Sequence, residues 1–165
     1  MLFTFLKRFG WMWVSVLLQA LILNNIHFFG YATPFLYVYL LLKFDANISR
    51  YALLLWGFFM GLSIDIFSNT PGVNAAAATL LALARPFLIK LFAPRESPDD
   101  MEPGFRDMGS GPFMRYTTVS LLIHQTTLIL LVTFSFAHPG AMALKIVGST
   151  LLTALCIAAI ESIRK

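Results

Sequence analysis

Charge is scarce in this chain. Asp, Glu, Lys and Arg make up 12% of its 165 residues, about half the ~25% of an ordinary soluble domain. So few charges cannot clothe a water-soluble surface, whereas 58% hydrophobic residues and a mean hydropathy of +0.76 suit lipid as the solvent. Cysteine is rarer still: Cys156 stands alone, which excludes a disulfide framework and a cysteine-based metal site. There is no H-E-x-x-H helix, no phosphate-binding glycine loop ending in Lys and no G-x-S-x-G elbow. No catalytic residue, metal ligand or cofactor is therefore assigned. The net charge of +4 does not indicate nucleic acid, because Lys and Arg fall in ones and twos beside apolar runs, not in a stripe. A small-x-small cleavage site is also missing after the apolar core that follows Lys7 and Arg8, so this stretch reads as an uncleaved anchor.

Long apolar runs are what the chain has instead. A helix needs about 20 residues to cross the ~30 Å hydrocarbon core. From Phe9 to Leu42 there is no charged residue, which as one helix would be roughly 51 Å long, too much for one crossing. Asn24-Asn25-Ile26-His27, followed by Gly30 and Pro34, supplies a turn. It divides a first span near 9–26 from a short second span near 31–44, which at about 14 residues is either a short helix or an irregular crossing. Further spans are expected at 51–67, 73–92, 113–136 and 142–163. Before the fourth, Ser68 to Gly72 form a turn in which Thr70 reads as N-cap and Pro71 as first helical residue. His138-Pro139-Gly140 turns the chain into the sixth. Residues 93–112 hold four prolines, three glycines, five acids and two arginines, the composition of a flexible aqueous loop. The expected fold is an all-α membrane protein, one domain of about six transmembrane helices.

Cations orient it. With the N-terminus inside, Lys7, Arg8, Lys43, Arg50, Lys90, Arg95, Arg106, Arg115, Arg164 and Lys165 all face the cytoplasm, ten of the twelve Lys and Arg residues. Lys145 is the outer exception and Arg85 lies inside the fourth span. An even number of spans follows, with both ends inside. Trp11 and Trp13 near the inner level, and Phe28, Phe29 and Tyr31 at the first outer turn, fit the interfacial preference of aromatic rings.

Gly57, Gly61 and Asp65 lie four apart, so two glycines and a carboxylate share one face of the third helix. Small residues at that spacing admit a second helix closely. A carboxylate on the seam faces protein or a polar pocket, unless it simply reaches the outer headgroups. By depth Arg85 is too far inward to pair with Asp65 and is expected to snorkel toward the inner surface, beside a helix kink at Pro86. Ala75, Ala78 and Ala82 make the fourth helix slim, and Thr150, Ala154, Ala158 and Ser162 form a small stripe on the sixth. Either stripe packs within the chain or against a partner helix. Thr117, Ser120, His124 and Thr127 put a polar stripe on the fifth. There His124, with Thr127 nearby, is either a proton-relay or ligand group or the source of one interhelical hydrogen bond.

The segment from Gly57 through Gly61, Asp65, Pro71 and Gly72 to Asn74, followed by small residues, resembles the MreD family of bacterial rod shape-determining membrane proteins. The specific likeness spans about Trp56 to Arg85. It implies a non-enzymatic scaffold in the inner membrane that helps organise lateral peptidoglycan synthesis. The partners it implies are a bitopic MreC-like protein, the actin-like filament MreB, and RodA with its transpeptidase, in a setting of membrane lipid. It also implies a fold similar to the substrate-binding subunits of energy-coupling-factor transporters. The alternative function is accordingly a subunit that binds a small vitamin-type molecule in an outward cavity lined by Asn24, Asn25, His27 and Asp65. A membrane enzyme is a third class, requiring a second acid or histidine close to Asp65 or His124.

Overall fold

The computed structural model describes residues 2–27, 29–98, 100–134 and 137–164. The readings of Phe28 as an interfacial ring, of Phe136 as the end of the fifth span and of Lys165 as an inner cation lie outside the described residues. Within them the chain is all-helical: α1 (Leu2–Leu21), a 3-10 turn (Leu23–Asn25), α2 (Tyr37–Leu42), α3 (Arg50–Ser68), α4 (Val73–Phe92), α5 (Ser110–Thr133) and α6 (Pro139–Arg164). Five of the helices, α1 with its 3-10 turn and α3 to α6, are long and apolar enough to cross a membrane. The chain is thus a multi-pass membrane protein by length and composition.

Local chemistry explains the boundaries. Ser49 caps α3, its hydroxyl accepting from Ala52 N–H. Asn69 closes that helix in the left-handed region at φ 54°, a conformation in which asparagine is enriched. Pro139 opens α6, where its missing N–H costs nothing. α4 begins at Val73, as the span 73–92 requires, but two residues later than Thr70-Pro71 led us to expect. Gly72, at φ 81°, is the N-cap and offers no side-chain bond. The acceptors for that helix end come from α3 instead, so Thr70 and Pro71 are left in the turn. α1 starts seven residues before its expected 9 and already contains Lys7 and Arg8.

The second crossing takes the irregular one of its two expected forms. Residues 31–44 form no membrane-length helix; only the six residues of α2 are helical. The segment nevertheless runs the length of the bundle. At one end the Thr33 N–H donates to Ser149 Oγ, and at the other Arg8 pairs with Asp45. Non-helical backbone is tolerated at membrane depth only where protein satisfies it, and here three side chains, Ser149, Thr153 and Gln19, do so. The Phe35 N–H donates to Thr153 Oγ1 at 3.1 Å, Leu36 N–H donates to Gln19 Oε1 at 2.9 Å, and Gln19 Nε2 donates to the Pro34 carbonyl at 2.8 Å. Gln19 and Thr153 are fully buried. Counting this segment, the chain makes six antiparallel passes with five long helices.

Both described ends lie on one face of the bundle. Arg8 meets Asp45, and Arg164 Nη1 donates to the Tyr39 hydroxyl two turns of chain away. We call this the cationic face and the opposite one, where 24–27, 29–33, 69–72 and 137–139 turn, the far face. α3 packs on α4, α4 on α5 and α5 on α6. Val38, Leu42, Ile64, Ala78, Leu81 and Tyr116 fill the centre. Phe59, Ile66, Leu83, Phe87, Leu151 and Leu155 point outward, which is the lipid-facing belt expected of such a bundle.

Residues 93–112 are not a free aqueous loop. Met101 and Met108 are buried, the Ala46 N–H donates to the Met101 carbonyl at 2.9 Å, and the Phe105 N–H donates to Glu161 Oε2 at 3.0 Å. Phe105 packs edge-on against Phe113, ring centres 5.5 Å apart. Three apolar side chains, at 101, 105 and 108, give an otherwise charged segment something to bury.

Candidate functional site

The α3–α4 seam is built by absence of side chain. A Cβ at Gly61 would lie 2.5 Å from Ala75 Cα and 2.6 Å from Ala75 N; one at Gly57 would lie 3.0 Å from the Ala78 carbonyl oxygen and 3.1 Å from Ala82 Cβ. The helices therefore meet at backbone distance, and dispersion gains from both sides. Asp65 closes the seam. It is 3% exposed. Its Oδ1 accepts from the Asn74 backbone N–H at 2.9 Å, from Asn74 Nδ2 at 3.0 Å and from the Thr70 hydroxyl at 2.9 Å, while Oδ2 accepts from the Ala75 N–H at 2.9 Å. Free backbone N–H groups and the positive end of the helix dipole both favour an anion there. The carboxylate thus caps α4 from a neighbouring helix and satisfies its own four contacts within the chain.

From Asn74 the polar chain continues inward. Asn74 Oδ1 accepts from the Tyr37 hydroxyl at 3.4 Å, and that hydroxyl lies 2.5 Å from His124 Nε2. Phe35 and Tyr37 both pack on the imidazole, ring centres 5.9 and 5.4 Å away. The bonds run in one consistent direction when His124 carries its proton on Nε2: imidazole to phenol, phenol to amide, amide to carboxylate. Nδ1 then presents a lone pair that meets no partner among the described residues. His124 is joined to the seam by Tyr37 and Asn74. Thr127 is not part of this chain: its hydroxyl bonds back to the Ile123 carbonyl at 2.8 Å.

Arg85 neither snorkels nor pairs with Asp65. It is 1% exposed and donates to the carbonyls of Leu42 and Phe44, reaching toward Asp45 O at 3.5 Å. Those oxygens belong to the C-terminal end of α2 and the turn after it. A cation beside the unsatisfied carbonyls of a helix end is electrostatically favoured, and this short helix end lies within hydrogen-bond reach of the guanidinium. On the cationic face, Glu161 accepts from the Tyr39 hydroxyl and from Phe105 N–H, and Lys43 Nζ lies 3.2 Å from Glu161 and 3.3 Å from Glu102.

Of the residues singled out beforehand, Gly57, Gly61, Asp65, Asn74, Ala75, Ala78 and Ala82 come together on this one seam. The seam is filled internally and leaves no room for a partner helix. Pro71 and Gly72 are exposed in the connecting turn. On α6, Thr150 and Ala154 are buried while Ser162 is exposed and bonds to the Ala158 carbonyl. Gln19, Tyr37, Lys43, Ser149, Thr153 and Glu161 were not singled out. A polar residue inside an apolar run was the available signal for Gln19 and Thr153.

A cavity of about 410 Å³ opens at the far face, lined by Asn24, Asn25, His27, Thr33, Thr70 and Asn74 among others. Three of the four residues expected of an outward pocket are there; Asp65 stands behind Thr70 and Asn74 and does not line it. No group of three or more His, Cys, Asp or Glu suited to a metal ion occurs among the described residues. Set against known families, curated proteins and solved structures, the chain matches none.

Proposed function

We propose that the chain is a non-enzymatic scaffold of the bacterial cell-elongation machinery, a member of the MreD family in the cytoplasmic membrane, with its cationic face inside. One observation carries the reading. The residues on which the family resemblance rests, Gly57, Gly61, Asp65, Gly72 and Asn74, make a single helix–turn–helix unit with its own cap. A motif that builds one rigid piece suits a protein whose task is to hold others in position. The inward placement of the cationic face follows from the cost of moving Lys and Arg across a membrane.

In this reading an MreC-like protein docks through its membrane helix, MreB meets the cationic face, and RodA with its transpeptidase joins the same assembly. Because the seam is occupied, partners contact outward side chains such as Phe58, Phe59 and Phe87. Deleting the gene from a rod-shaped bacterium that carries it is expected to give round cells, and the tagged chain in mild detergent is expected to co-purify the MreC-like protein. Unchanged rods together with an empty pull-down would remove the proposal.

A further inference from the structure

Buried polar groups without partners gather on α5 and the helix packed against it. Thr117, His124 and Gln125 are all fully buried. Neither Oε1 nor Nε2 of Gln125 meets a hydrogen-bond partner among the described residues, and the same holds for His124 Nδ1 and the Thr117 hydroxyl. On α6 the hydroxyl of Thr150, a residue 3% exposed, is unpaired as well. Leaving such groups dry costs the fold their full desolvation, and the surrounding lipid offers nothing in exchange. Asp65, with four donors supplied from within the chain, marks the contrast.

Phe35 gives the depth. Its N–H donates to Thr153 Oγ1 at 3.1 Å, and its ring centre lies 5.9 Å from that of the imidazole. The turn of α6 that holds Thr150 and Thr153 is therefore level with His124 and Gln125. Phe35 and Leu128 also line the far-face cavity, and Leu128 is one helical turn from His124. The floor of that cavity is thus one ring away from the imidazole. The chemistry of the set is mixed and neutral. With Nε2 donating to Tyr37, Nδ1 accepts, while the Gln125 amide and the Thr150 hydroxyl each donate and accept. An ion would find no counter-charge among them. Water, which both donates and accepts, suits all three.

We propose that this level of the α5–α6 seam is a hydration site, in which ordered water donates to His124 Nδ1 and pairs with the Gln125 amide and the Thr150 hydroxyl. The site lengthens the polar line from Asp65 through Asn74 and Tyr37 to His124 by one partner, and it holds the imidazole proton on Nε2. The proposal is independent of the scaffold reading, since it concerns the interior of the chain and not its assemblies.

The test is water-edited solid-state NMR on the full, isotope-labelled chain in proteoliposomes, with the exposed His27 and His138 replaced by Gln so that His124 is the only imidazole. Magnetisation started on water protons is expected to reach the His124 ring nitrogens at least fivefold faster than it reaches the backbone nitrogen of Leu81, which is fully buried in α4. In Gln125→Leu, which is close in size but cannot hold water, that advantage is expected to vanish. Thr150→Val, expected to reduce it, takes the place of Gln125→Leu where that variant fails to fold. Transfer to His124 no faster than to Leu81 in the parent chain overturns the proposal. So does fast transfer that survives in the folded variant, because the water reaching His124 would then owe nothing to these groups.

Discussion

Among the described residues, Asp65 gathers more hydrogen bonds than any other side chain. Its two oxygens receive four donors, two of them backbone N–H groups of the first turn of α4. Asp65→Asn exchanges one acceptor for a donor that must face an N–H, and it removes the charge that the helix dipole favours. The expected cost is about 1–3 kcal/mol, read as a lower unfolding free energy in detergent. Faster amide exchange at Asn74 and Ala75 is expected with it. An unchanged unfolding curve would show that the cap is dispensable. Arg85 makes the complementary case at the other end of the same helix, a buried cation spent on carbonyls. Its partner was not readable, because backbone oxygens of a distant turn leave no mark in the side-chain pattern. Asp65 differs: its spacing from Gly57 and Gly61 put it on the seam before any coordinates did.

Helices α3 and α4 behave as one element. Gly61 lies against the backbone of Ala75, whereas Gly57 has a little more space against Ala78 and Ala82. Gly61→Ala is expected to cost ~2–3 kcal/mol by forcing the helices apart and Gly57→Ala less, about 1 kcal/mol. Thermal midpoints of the two variants in the same detergent give the ranking, and the reverse order would contradict the seam geometry. The loop 93–112 depends on α6 in a different way, through the Glu161 carboxylate on Phe105 N–H. In Glu161→Gln, trypsin is expected to cut after exposed Arg106 roughly tenfold faster, equivalent to ~1.4 kcal/mol of easier local opening. Cutting after Arg95, also exposed, serves as the internal reference and is expected to stay constant. The long helices were legible because apolar runs of 19 to 26 residues have one outcome in a membrane. Segment 31–44 was not, because its backbone partners Ser149 and Thr153 lie more than 110 residues downstream. Residues 101–108 were misread because acids and prolines outweighed three apolar side chains that settle into the bundle.

At the scale of the whole molecule, six passes bring both described ends to the cationic face, while His138 stands exposed at the far one. In spheroplasts of a Cys156→Ser background, His138→Cys is expected to react with a membrane-impermeant maleimide added outside, and Arg95→Cys only after permeabilisation. Labelling in the opposite sense would invert the orientation and with it the side on which each partner is sought. The irregular second pass also dictates an order of manufacture. When residues 31–44 leave the ribosome they lack a membrane-length helix, and the hydroxyls that will pair with Thr33 and Phe35 do not yet exist. The segment must wait, sheltered by the insertion apparatus or by α1, until the last helix arrives, so the pass written second is the one completed last.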